Sequence, residues 1–241
     1  MHCHIRPNLT DRTAAKVLLT SYTSHVILVL LVASFCCTSV AIAQETVEFC
    51  GRVLPADAER TGVKCPFQVS DLTLLAGLTR LNKLNLENTQ VSDLTPLAGL
   101  TRLDRLNLSY TRVSDVTPLA GLTNLHTLML HHTQARELPP LAGMNLRILH
   151  LRNTQVSDLT PLAGLANIKD LFVDNTQVSD LTPLMELTSL TRLFLTGTQV
   201  SDLTPLVGLT SLTSLDLTGT QVSAGQVSEL QSALPDCSIY R

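Results

Sequence analysis

The chain has 241 residues, 44% hydrophobic and 15% charged, with a formal net charge of −3. Arg6, Arg12 and Lys16 against Asp11 all lie in the first 43 residues, so residues 44–241 carry −5. That balance argues against nucleic acid and anionic membrane as partners, since both are held by clustered positive charge.

The first predicted element is a leader. Behind the three basic residues an uncharged stretch runs from Val26 to Ala43, contains VILVLLVA, and closes on Ala41, Ile42 and Ala43 before Gln44. A basic start, an apolar run and a small-x-small end describe a secretory signal peptide, here residues 1–43, with export to the periplasm, cell surface or medium as the consequence. The competing reading is an uncleaved membrane anchor, because 18 uncharged residues stand at the lower limit for a span. Ser34, Thr38 and Ser39 interrupt that anchor, and Phe35 is too bulky beside Cys36 and Cys37 for a lipoprotein cleavage site.

Residues 44–68 follow no repeat and read as an N-terminal cap. Removal of the leader leaves Cys50, Cys65 and Cys237. In an exported domain a disulfide between Cys50 and Cys65 is expected to staple the cap. Closing a loop of about 15 residues stabilises by about 3 kcal/mol when the geometry is unstrained. Cys237 is then the odd cysteine, either a buried thiol in the C-terminal cap or the site of an intermolecular disulfide.

From Val69 to Gln221 the chain is seven copies of one unit, beginning at Val69, Val91, Val113, Ala135, Val156, Val178 and Val200; six copies have 22 residues and the fourth has 21. One copy reads Leu81, Leu84, Leu86, Thr89, Val91, Leu94, Leu97, Leu100. This period and spacing belong to leucine-rich repeats. The L-x-L segment alternates as a short strand does. The TPL that follows predicts a 3₁₀ turn, with the Thr95 hydroxyl as cap and Pro96 at the first helical position, where a missing N–H is harmless. Stacked copies would share one core, giving an α/β solenoid: a curved, right-handed horseshoe with a parallel concave sheet, 3₁₀ turns on the convex side and a cap at each end.

Two polar columns run through the array. Thr89, Thr111, Thr133, Thr154, Thr176, Thr198 and Thr220 are expected to turn inward and bond backbone of the adjacent turn. Asp71, Asp93, Asp115, Asp158, Asp180 and Asp202 share a loop position without a glycine-bounded calcium loop, so they read as backbone caps rather than metal ligands. The fourth copy departs, with AREL followed by Pro139 and Pro140, and a local irregularity is expected there.

The run of TQVSDLTPLAGLT units resembles the bacterial leucine-rich-repeat proteins of the internalin type. Those carry the same strand followed by a TPL turn, usually with asparagine where this chain has the threonine column. The resemblance implies binding through the concave surface and covers the repeats only. Outside them, no stretch reads as an immunoglobulin-like module, a cell-wall anchoring tail or an appended enzymatic domain.

After the repeats, residues 222–241 form a second cap. Val227, Leu230 and Leu234 recur at helical spacing behind Ser223, Pro235 stops the run, and Ser238–Tyr240 reads as a short strand.

On the concave face, outward strand positions form a grid, with neighbours about 4.8 Å apart across strands and about 6.6 Å along them. The middle column holds Met129, His150, Phe172 and Phe194 in succession, between Asn85 and Asn107 on one side and Asp216 on the other. Beside that apolar row lie His131, Arg152 and Asp174 in one flanking column and Asp170 and Arg192 in the other. An apolar centre ringed by mixed charge is how interface hot spots are built. These nine residues are the candidate partner site; the plainer alternative is that Phe172 and Phe194 only stack across strands. His131 and His150 lack a convincing third metal ligand, and together with His126 and His132 are expected to be solvated.

No catalytic constellation, cofactor motif or metal motif is read anywhere. The expectation is an exported, non-catalytic, monomeric module that binds a protein or peptide, with a self-assembling structural protein as the alternative and an enzyme as a distant third.

Overall fold

The L-x-L segment of every copy becomes a three-residue strand. The computed structural model describes residues 68–139, 141 and 143–241, together with three earlier strands, β1 (Thr46–Phe49), β2 (Arg52–Pro55) and β3 (Gly62–Lys64). The expected leader and the Cys50–Cys65 pairing lie outside the described residues. The repeat strands are β4 (Lys83–Asn85), β5 (Arg105–Asn107), β6 (Thr127–Met129), β7 (Ile148–His150), β8 (Asp170–Phe172), β9 (Arg192–Phe194) and β10 (Ser214–Asp216). With β3 at one edge and β11 (Ser238–Tyr240) at the other, they form one nine-stranded sheet in sequence order. Every pairing in it is parallel. β1 and β2 make a separate antiparallel pair.

The register is the same across each repeat boundary. Leu84, Leu106, Leu128, Leu149, Leu171, Leu193 and Leu215 lie side by side, each at most 2% exposed. A slip of one residue would send this whole row to the outer face, so the leucines themselves hold the register. Because no single copy can bury its own leucines, the core is continuous from Leu72 to Leu234 and its energy is packing between neighbouring copies.

The turns form as 3₁₀ segments at Thr73–Leu75, Thr95–Leu97, Thr117–Leu119, Thr160–Leu162, Thr182–Leu184 and Thr204–Leu206. The cap differs from expectation. Thr95 is the first residue of its turn and Pro96 the second, and the preceding Leu94 offers no side-chain cap. Instead Asp93 Oδ1 accepts the Thr95 N–H at 2.8 Å, and the same bond recurs in the other consensus copies. Pro96 is harmless at the second position because the first internal bond of the turn starts from the Leu97 N–H. The aspartate column is thus a set of backbone caps, as its sequence context indicated.

In the fourth copy Pro139 stands where the capped threonine should be, and it has no N–H to donate. Among that copy's described residues there is no 3₁₀ turn. The threonine column turns inward as expected but bonds within its own copy: Thr154 Oγ1 donates to the Leu151 carbonyl at 2.6 Å, and each other member likewise reaches back three residues.

At the C-terminus Ser223 and Gln226 form a reciprocal capping box on α1 (Ala224–Ala233). Leu230, Leu234 and Cys237 close the last repeat, each at most 3% exposed. Cys237 is a buried free thiol, its pKa pushed up by burial.

Candidate functional site

The outward positions of β7, β8 and β9 present a ladder of rings. His150 stacks on Phe172 with centroids 4.0 Å apart and planes 5° from parallel, and Phe172 stacks on Phe194 at 4.7 Å and 9°. In-register pairing of β7, β8 and β9 sets this spacing, since the three residues are direct cross-strand partners. The stacking foreseen as the plainer alternative therefore occurs. It leaves the row half-buried along the concave face.

The ladder continues through His131, one of the expected site residues, and through Tyr110 and His132, which the sequence pattern did not place in it. His131 lies 6.1 Å from His150, Tyr110 meets His131 edge-on at 5.3 Å, and Tyr110 stacks on His132 at 4.4 Å. Tyr110 and His132 occupy a backbone position that is left-handed in every copy: Asn88, Asn153, Asn175, Gly197 and Gly219 also have φ between 53° and 73°. Asparagine and glycine adopt that conformation readily, whereas bulky residues there cost roughly 1–2 kcal/mol. A tyrosine and a histidine interrupting an Asn/Gly column was the signal that could have found them. At Gly197 a Cβ would come within 2.5 Å of Asn175 Oδ1, so the sixth copy could not carry a side chain there without a shift of Asn175.

The histidines are not simply solvated. A 2.8 Å hydrogen bond joins Ser109 Oγ, fully buried, to His131 Nδ1, and Asn153 Nδ2 donates to His132 Nε2 at 2.9 Å. His126 Nδ1 lies 2.7 Å from Asp104 Oδ1. Burial, and then the neighbouring His131, push the His150 pKa down to about 4. Burial, and then His132, also lower that of His131.

The charged residues around the ladder fall into two groups. Asp170 is 6% exposed and receives the Arg192 guanidinium in a two-pronged bond, Nε to Oδ1 at 2.7 Å and Nη2 to Oδ2 at 2.5 Å. This pairing holds the Asp170 carboxyl below the usual carboxylate range and raises Arg192. Arg152 and Asp174 form no ion pair among the described residues, although both line one depression of about 480 Å³ with the rings, Thr196 and Asp216. Met129 belongs elsewhere: it borders an adjoining depression of about 400 Å³ with Lys83, Arg105 and Ile148. The nine expected site residues thus divide, with His131, His150, Arg152, Phe172, Asp174 and Phe194 gathered in one hollow, the Asp170–Arg192 pair beside it, and Met129 facing the next.

The ladder also displaces a structural bond. Asn85, Asn107 and Asp216, at the same column position, each use Oδ1 to accept the N–H of the residue two places on, at 2.9–3.0 Å. Met129, His150, Phe172 and Phe194 make no such bond among the described residues.

Comparison with known proteins agrees with this architecture. The family model described as "Leucine Rich repeats (2 copies)" matches residues 101–143 and again 145–184. No curated protein sequence matches significantly. Among solved structures, the internalin inlF of Listeria monocytogenes is 35% identical with a TM-score of 0.68; the match covers 72% of this chain and 51% of that one, so the chain spans about half its length. A leucine-rich-repeat protein of Leptospira interrogans is 26% identical at a TM-score of 0.65, over 70% of this chain and 45% of that one. Internalin C2 of Listeria monocytogenes is 32% identical at a TM-score of 0.61, over 71% of this chain and 85% of that one. At 32% identity over 85% of a solved internalin, the chain belongs to the internalin-type leucine-rich-repeat proteins.

Proposed function

We propose that this protein is an exported, non-catalytic binding module that captures a protein or peptide on its concave face, centred on the ring ladder from Tyr110 to Phe194. Leucine-rich-repeat proteins are commonly protein-binding modules, which sets the class. The observation that carries the site is the unbroken run of six rings in a hollow of the concave sheet. Rings are the residue type that dominates interface energetics when a partner covers them. The loss of four consecutive backbone-bonding side chains supports the same reading. Each such bond contributes about 0.5–1.5 kcal/mol, and the rings that stand in its place present apolar surface that Asn or Asp would not.

Export rests on the leader of residues 1–43, and a monomeric state accords with the burial of Cys237, which withholds its thiol from an intermolecular disulfide. The test is affinity capture with the purified chain beside its Phe172→Ser, Phe194→Ser double variant. The expected result is a partner retained by the native chain and lost by the variant, with unchanged circular dichroism. Equal retention by both would refute the site, and a concentration-dependent oligomer with no retained partner would favour a self-assembling role.

A further inference from the structure

Two aspartates of the concave face are equally covered as residues, Asp170 and Asp174 at 6% exposure each. Asp170 is answered in full, by both prongs of Arg192 and by the Thr191 hydroxyl. The Asp174 carboxylate accepts no hydrogen bond and joins no ion pair among the described residues, although the backbone carbonyl of Asp174 accepts the Asn153 N–H at 2.9 Å. Asp216, in the same hollow, is also engaged, since Thr218 donates both its N–H and its hydroxyl to Oδ1. Asp174 is therefore a carboxylate without a partner among the described residues, on the wall of a hollow lined chiefly by rings.

Nothing within the hollow supplies the missing charge. Arg152 is exposed and makes no ion pair, while Arg192 is held by Asp170. His131 and His150, the imidazoles beside it, are shifted toward the neutral form by burial. A metal ion is a poor answer, because no three His, Cys, Asp or Glu among the described residues converge on one point. A lone carboxylate beside apolar ring surface suits a different occupant. Lysine and arginine carry a charged head on an apolar stem, and aromatic surface holds such a stem while the head finds the acid.

We propose that Asp174 and the adjoining rings form a subsite for a cationic side chain of the captured partner, its stem lying along Phe172 and Phe194 and its head on the Asp174 carboxylate. This rests on the capture reading and adds to it a chemical requirement on the partner: a lysine or arginine at the centre of its contact surface. Arg152 sets the approach, since its positive charge repels the incoming head from the fourth-repeat side and steers it toward the side of Thr196 and Asp216.

The probes are Nα-acetyl-arginine methylamide, the corresponding lysine derivative and the citrulline derivative, which has nearly the shape of arginine without its charge. Titrated into the full chain and followed by NMR, the two cationic probes should give saturable shifts at Asp174, Phe172 and Phe194, and citrulline should give none. Asp174→Asn should weaken the cationic probes by about tenfold or more, the scale of a hydrogen bond to a charged group. Asp202→Asn, the same change of charge in an exposed turn cap, should leave them unaltered. Asp174→Asn should leave the urea midpoint close to the native value, because the carboxylate makes no bond within the fold among the described residues. Equal binding of citrulline and arginine, unweakened binding by Asp174→Asn, or a lowered urea midpoint would each overturn the subsite. If Asp174→Asn still captures the native partner while the double serine variant does not, the subsite fails and the capture reading stands. If both variants capture it, the subsite fails and so does the placement of the capture site on the ring ladder.

Discussion

A threonine hydroxyl closes the corner behind each repeat strand, and its geometry makes it sensitive to a nearly isosteric change. Thr154 is 6% exposed and donates at 2.6 Å to the Leu151 carbonyl, itself in a fully buried residue. Replacing Thr154 by valine keeps the volume and removes the donor, so the expected loss is about 1–2 kcal/mol of unfolding free energy, the scale for an orphaned buried acceptor. Thr220 makes the same bond at 2.7 Å in the last repeat, where the side chain is only part-buried. There water can replace the hydroxyl, and Thr220→Val should cost measurably less in the same urea titration. Asparagine, more usual at this position in the resembling proteins, has a longer amide side chain that could serve the same corner. The shorter threonine reaches only its own repeat's carbonyl, which is why the expected bond to the adjacent turn is not the one formed.

At the scale of the strand and the turn behind it, the middle column alternates between two uses. Where it holds Asn85, Asn107 or Asp216, the side chain folds back and fixes the following N–H. Where it holds Phe172 and Phe194, the side chains stack with the neighbouring strand instead. Phe194→Asn should therefore exchange a ring stack, worth about 0.5–1.5 kcal/mol, for a backbone bond of similar size. The expected outcome is an unfolding free energy within about 1 kcal/mol of the native value together with loss of partner capture, measured by urea titration beside affinity retention. A large drop in stability would mean that the ladder is mainly structural. Strands and turns were legible in the sequence because each depends on a spacing that the copies repeat, and the cap helix because Ser223 precedes Val227, Leu230 and Leu234 at helical spacing. The ring row was legible for the same reason, as a column of outward positions. What escaped depends on backbone direction or on which polar atom reaches which. Tyr110 and His132 join the ladder only because a left-handed residue turns them toward it, and Met129 leaves it because its side chain borders the basic hollow of Lys83 and Arg105. Asp93 rather than Thr95 caps the turn, since the carboxylate two residues back can reach an N–H that the threonine's own position cannot serve. The solitude of Asp174 follows from Arg192 being taken by Asp170, a competition invisible in a list of columns.

Across the whole molecule, acid should act in two stages. The six capping aspartates have pKa values below their ordinary 3.8, chiefly through the hydroxyl and N–H of the threonine two residues on. A carboxylate with a depressed folded-state pKa stabilises the fold above its unfolded value and loses that contribution as pH falls through the folded one. Their stage therefore lies below about pH 4 and involves all six consensus turns together. His150 acts earlier and by the opposite chemistry. Its ordinary value of 6.5 falls to about 4 in the folded chain because burial, and then His131, oppose its charge; Asp170 only partly offsets this, and Arg192 adds to it. Between those two values the unfolded chain takes up a proton that the folded chain refuses, so stability declines as pH drops from about 6.5 toward 4. His131, lowered in the same direction, adds to that decline. His150→Phe extends the stack on Phe172 and removes the proton site. Unfolding free energy measured by urea titration at a series of pH values should then fall less steeply between pH 6.5 and 4 in the variant, down to the part carried by His131, and should keep the aspartate stage below pH 4 unchanged. An identical slope in both proteins would mean that His150 is open to protonation in the folded state, and with it that the centre of the ladder is wetter than its packing implies.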